Sequence, residues 1–203
     1  MSGLVHAALT TVLLAPVLLA PPAVAPQDPP PERVIIDVAT INGPGCRPGT
    51  TEVSVAPGNT AFTVSHRDFS AKVGAHLPEI DRRNCRLGLN IHLPAGFTYG
   101  LRHAEHTGEA VLAAGAEGTF RGASYFATDS APPVIRRTFR GPLNESWTVG
   151  ADIELDKPCG LPGFLNLNTE VRLRAGTSGK GTPVSWVTLD RSTYQLTWRT
   201  CPR

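Results

Sequence analysis

The stretch "FLNLNTEVRLR", Phe164–Arg174, decides the fold. In an extended chain Leu165, Leu167, Thr169, Val171 and Leu173 fall on one side, and Asn166, Asn168, Glu170, Arg172 and Arg174 on the other. A helix, with its period of 3.6 residues, would mix these two sets, so the run reads as a strand with one buried face and one polar face. That two-sidedness belongs to antiparallel sheets, since strands of parallel sheets are covered on both faces. "LGLNIHL" at 87–93 repeats the pattern: Leu87, Leu89, Ile91 and Leu93 oppose Gly88, Asn90 and His92.

Working outward, the chain alternates short β-type runs with Gly, Pro and Asn punctuation. "RVIIDVATI" stops at Asn42-Gly43-Pro44-Gly45, where glycine accepts positive φ and proline cannot continue a ladder. "TEVSVA" and "TAFTVS" flank Pro57-Gly58-Asn59, a hairpin-like signal. Further strands are expected at "FTYGLRHAE", "EAVLAAG", "GTFRGASYFA", "VIRRTFR", "WTVGADIEL", "SWVTLDR" and "YQLTWRTC". The one candidate helical turn is "SHRDFSAKVG". About eleven strands without intervening helices imply an all-β fold, an antiparallel β-sandwich or else a flattened β-barrel.

The N-terminus has a different character. Residues 1–25 hold no Asp, Glu, Lys or Arg, and an apolar stretch from Leu9 to Leu19 precedes "APPAVA". This is the form of a secretory signal peptide, and the apolar stretch is too short for the ~20 residues of a membrane span. Residues 26–32, "PQDPPPE", read as an extended Pro-rich leader, and 33–203 as a single domain. The expected localisation is therefore extracellular, without stable membrane insertion. The chain carries a net charge of +2, with no basic run longer than a pair, so nucleic acid is not an expected partner.

Four cysteines, Cys46, Cys85, Cys159 and Cys201, in an exported chain imply two disulfides. No two are spaced as in a zinc knuckle. Cys46–Cys85 with Cys159–Cys201 is the favoured pairing, closing loops of about 40 residues, and the two longer-range pairings stay open.

The segments "IDVATINGPGCRPGT", "PGNTAFTVSHRDFSAKVG", "RNCRLGLNIHLPAGFTY", "FLNLNTEVRLRAG" and "LTWRTC" occur in this order in a family of secreted actinobacterial and fungal proteins that the chain resembles from about Val34 to Cys201. That family is catalogued as domain of unknown function 4360. The resemblance implies secretion, a mostly β fold and the same four cysteines. It implies no activity and supplies no catalytic residues.

Several constellations remain for the residues themselves to explain. Asp152, Glu154 and Asp156 share one face of "ADIELDK" and are calcium candidates, or else a solvated face paired with arginines. His103, Glu105 and His106 could suggest a metal, but alternation sends His106 to the side opposite His103. Glu170 is the single best acid or base for glycoside hydrolysis, although no second carboxylate is identifiable. There is no Gly-x-Ser-x-Gly elbow, disulfides leave no thiol nucleophile, and no cofactor is called for. Among the rings, Trp186 and Trp198 are expected in the core and Trp147 at a sandwich end. The expected role is binding of a polysaccharide or cell-wall surface through Asn166, Asn168, Glu170, Arg172 and Arg174. The alternatives are a glycan-active hydrolase, or a secreted protein that engages another protein through an exposed apolar patch.

Overall fold

The computed structural model describes residues 27–178 and 183–202. The expected secretory segment, residues 1–25, lies outside the described residues. The described residues form twelve strands: β1 Ile35–Asn42, β2 Thr51–Val55, β3 Ala61–His66, β4 Ser70–Val73, β5 Ile80–His92, β6 Phe97–Leu112, β7 Glu117–Tyr125, β8 Val134–Arg140, β9 Leu143–Asp156, β10 Leu165–Arg174, β11 Ser185–Thr188 and β12 Arg191–Thr200. Two 3-10 turns, Pro57–Asn59 and Gly176–Ser178, are the helical elements among the described residues.

The strands form two antiparallel sheets that do not close into a barrel. One has the order β1-β5-β10-β7-β8; the other runs β2-β3-β12-β6-β11-β4, with β9 on the free edge of β6. β10 is the middle strand of the first sheet, which explains its strict alternation. Its five inward residues are buried, its five outward residues are not, and each buried leucine contributes about 2 kcal/mol of hydrophobic stabilisation. The opposite sheet meets them with Phe62 stacked on Tyr194 at 4.9 Å, while Trp147 packs between Phe120 and Phe139.

Three expectations need correction. "SHRDFSAKVG" contains no helical turn, because Phe69, Ala71 and Val73 alternate into the core and the second half forms β4. "FTYGLRHAE" and "EAVLAAG" belong to one sixteen-residue strand, β6, whose alternation is broken by a register shift between Leu101 and His103. Trp147 is buried in the core, whereas Trp186 is partly exposed, since Ser185, Val187 and Leu189 are the inward residues of that segment.

Both disulfides are Cys46–Cys85 and Cys159–Cys201, with Cα separations of 5.2 and 5.7 Å. On the chain-entropy account, loops of 39 and 42 residues correspond to about 4 kcal/mol each. The turn after β1 aims the first sulfur. Gly43 adopts φ +123°, and a Cβ there would lie 2.1 Å from the Asn84 carbonyl oxygen; a Cβ on Gly45 would lie 2.6 Å from the Phe69 ring. Only glycine lets the chain pass this close to β5, which carries Cys85.

The Pro-rich leader is docked on the sandwich. Buried Asn59 accepts a hydrogen bond from the Val34 amide at 3.0 Å and donates to the carbonyls of Pro30 and Glu32 at 3.0 and 2.7 Å. Its own carbonyl accepts from the Trp198 indole at 2.8 Å.

Candidate functional site

Strand register assembles an outer face on the five-stranded sheet that the linear sequence hides. Residues paired across antiparallel strands point to the same side, so the polar row of β10 has defined neighbours. Arg172 lies between Arg82 of β5 and Thr119 of β7, Glu170 between Asn84 and Arg121, and Asn168 between Arg86 and Ala123. On β8, Arg136 faces Arg121, Thr138 faces Thr119 and Arg140 faces Glu117. All five predicted residues, Asn166, Asn168, Glu170, Arg172 and Arg174, therefore share this face and form its central row.

The electrostatics are lopsided. Arg82 binds Glu170 through Nε at 2.7 Å and Nη2 at 2.5 Å, and these bonds hold its guanidinium above the usual arginine range. Arg140 and Glu117 stand 3.6 Å apart. Asp37 and His92 pair at 2.6 Å at the far end of the sheet. Among the described residues Arg86, Arg121, Arg136, Arg172 and Arg174 have no carboxylate partner.

The face also carries an exposed ring. Phe164, just before β10, is 43% exposed and lies over Gly88, where an added Cβ would sit 3.7 Å from its Cδ2. Residue type alone did not single out Phe164; its position over a glycine of the adjacent strand did.

A second feature is a groove of about 520 Å³ near one end of the other sheet, lined by Asp68, Lys72, Glu109, Val184, Trp186 and Asp190 among others. Asp68 is engaged by Arg47. Glu170 lies outside this groove. The groove draws its residues from the end of β3, from β4, β6 and β11 and from the loops beside them, so their convergence is invisible in the sequence.

The remaining candidates disperse. His103 bonds Asp152 through Nδ1 at 2.8 Å on the outer side of β6. His106 points inward past the register shift, almost wholly buried, with Nδ1 2.8 Å from Ser192 Oγ and its ring against Phe120. Burial, with a smaller contribution from His66, pushes the His106 pKa down to about 3; burial lowers His66 to about 4. Asp156 pairs with Arg102 and Arg199, and Glu154 is exposed. Among the described residues, Asp152, Glu154 and Asp156 do not form a metal-holding group, nor does any other set of three or more His, Cys, Asp and Glu. The buried Tyr194 phenol is pushed up, mainly by burial.

Comparisons with known proteins fit this chain into a lineage without assigning it a reaction. An uncharacterized secreted protein of Arthroderma benhamiae is 29% identical over 152 residues, which are 72% of this chain. The chain spans 62% of that relative's length. Among solved structures, a carbohydrate-binding module studied for specific mannan recognition aligns over 83% of this chain and 100% of its own, at 12% identity and a TM-score of 0.34. The family model described as "Domain of unknown function (DUF4360)" matches residues 32–201, from the docked leader to the last cysteine, and the chain belongs to that family.

Proposed function

We propose that this chain is an extracellular binding module that holds a polysaccharide or cell-wall surface against the outer face of its five-stranded sheet. The observation that carries this reading is the face itself: a row of amides and guanidinium groups with an exposed aromatic ring, Phe164, at one end. Amide and guanidinium groups bond sugar hydroxyls, and a ring offers an apolar platform for a sugar's C–H face. Five paired strands hold the backbone under these groups at fixed spacing, so binding has to order side chains but not the chain that carries them. Extracellular residence is supported by the two disulfides and by the secreted relative. On this reading the single sandwich domain, 33–203, follows a removed secretory segment, 1–25, and a leader, 26–32.

Co-sedimentation of the oxidised protein with insoluble chitin, cellulose, fungal β-glucan and bacterial cell wall tests the proposal, with each supernatant assayed for released sugar. Saturable binding without release, weakened by Phe164→Ala and Asn168→Ala, is the expected result. Absence of binding to every one of these polymers and to a soluble acidic polysaccharide as well refutes it.

The hydrolase reading is favoured by a different observation, the groove in which Trp186 stands near Glu109 and Asp190. Glycosidases place two carboxylates across a cleft. Sugar release abolished by Glu109→Gln or Asp190→Asn, and untouched by Glu170→Gln, would move the function to this groove.

A further inference from the structure

The outer face of the five-stranded sheet concentrates positive charge far beyond what the chain's composition announces. Arg82, Arg86, Arg121, Arg136, Arg140, Arg172 and Arg174 all project from it, against Asp37, Glu117 and Glu170. These ten charges give the face +4 in a chain whose net charge is +2, so everything outside the face is left at −2. No lysine occurs in these strands.

Two pairs of arginines stand directly opposite each other across the ladder, Arg82 with Arg172 and Arg121 with Arg136. Like charges in directly opposed positions are destabilising. The Nε of Arg172 is shielded from solvent and makes no hydrogen bond among the described residues. An anion laid across the strands would relieve both repulsions and take up forks that now lack carboxylate partners. Arginine suits this better than lysine, because its planar guanidinium meets carboxylate or phosphate oxygens in paired hydrogen bonds.

We infer that the polymer held by this face is acidic: a carboxylate-bearing polysaccharide lying across β5, β10, β7 and β8. The inference rests on the surface-binding reading above and narrows its ligand class. With strands ~4.8 Å apart and ~7 Å between same-side residues, the basic area measures roughly 20 by 15 Å, room for several sugar units. Asn168, Thr119 and Thr138 are interleaved with the arginines and supply partners for ring hydroxyls. A nucleic acid fits less well. Single strands are gripped by successive stacking rings, and duplexes are read by elements that enter a groove. This flat face offers Phe164 and the partly buried Tyr125 at one end alone.

The test compares polygalacturonate with the same polymer fully methyl-esterified, which keeps the backbone and removes the charge. Affinity electrophoresis of the oxidised protein should show retardation by polygalacturonate at least tenfold stronger than by the ester. Because neutralising a polyanion releases its counterions, retardation should fall about tenfold between 50 and 300 mM NaCl. The double variant Arg121→Gln/Arg172→Gln should lose at least tenfold in affinity and show a shallower salt dependence. Arg191→Gln, on the other sheet, should behave as wild type. Arg86→Gln/Arg136→Gln is a second route should the first variant fail to fold, judged by its urea transition. Equal retardation by both polymers, or wild-type affinity in both double variants, overturns the acidic assignment and leaves surface binding standing. Tighter binding to single-stranded DNA than to polygalacturonate also overturns it. Failure to bind these polymers and every neutral one refutes the surface-binding reading itself.

Discussion

Glu170→Gln separates the competing accounts of the outer face, because each assigns its effect a different sign. Glu170 is the only carboxylate in the central row, bonded to Arg82 and directly opposite Arg121. Replacing it with the isosteric amide removes one negative charge and releases one guanidinium. At ~7 Å, the spacing of neighbouring same-side positions, a unit charge interacts with another by ~0.6 kcal/mol in a medium as polarisable as water. An acidic polymer on this row should therefore bind about threefold more tightly to the variant at 50 mM NaCl. The gain should vanish near 500 mM, where screening acts within ~5 Å. The urea midpoint should barely move, since the lost ion pair is largely on the surface. Isothermal titration with oligogalacturonate at both salt concentrations is the assay. A tenfold loss of affinity would refute the reasoning, for it would make the carboxylate itself a ligand of the sugar. Loss of a sugar-releasing activity would revive Glu170 as a catalytic acid or base.

Other consequences concern what holds the face in place. Asn59→Ala removes three hydrogen bonds that pin the leader and forces a β-carbon residue without a polar side chain to keep φ +53°. At about 1 kcal/mol per bond, a loss of roughly 3 kcal/mol in urea unfolding is expected, and trypsin should cleave sooner after Arg33, the residue that follows the leader. His106 is held neutral by burial, so the unfolded chain takes up the proton first as pH falls. Its contribution is complete above about pH 6.5 and shrinks toward its folded value of about 3, costing about 2 kcal/mol by pH 5. Urea midpoints at pH 7 and 5 should show this fall, and it should be flatter in His106→Gln. Cys46→Ser/Cys85→Ser should lower stability by about 4 kcal/mol if loop closure dominates, which chemical unfolding under non-reducing conditions measures.

What was legible in the sequence follows from what is local. The two-sheet architecture could be read from β10 because a central strand with one wet face must alternate, and the cysteine spacing favoured the pairing found. β6 was harder, since the register shift at Leu101–His103 and the small residues Gly100 and Gly108 interrupt its periodicity. The tryptophans were exchanged for a related reason. Trp186 has Val184 and Thr188 at two-residue spacing, which looked like an apolar face, yet the buried phase is Ser185, Val187 and Leu189. The polar row on β10 was also local, so that its five residues share one face could be read from the alternation. Its surroundings were not, because Arg82, Arg121 and Arg136 reach Glu170 and Arg172 only through pairings between strands far apart in the chain.

Location is the quantity that bears most directly on the proposed site. Amide chemical shifts of the 15N-labelled protein, followed during titration with oligogalacturonate, would map it residue by residue. The binding account predicts perturbations concentrated at Arg82, Arg86, Arg121, Arg136, Glu170 and Arg172. Perturbations confined to Lys72, Glu109, Trp186 and Asp190 would place the ligand in the groove and contradict it.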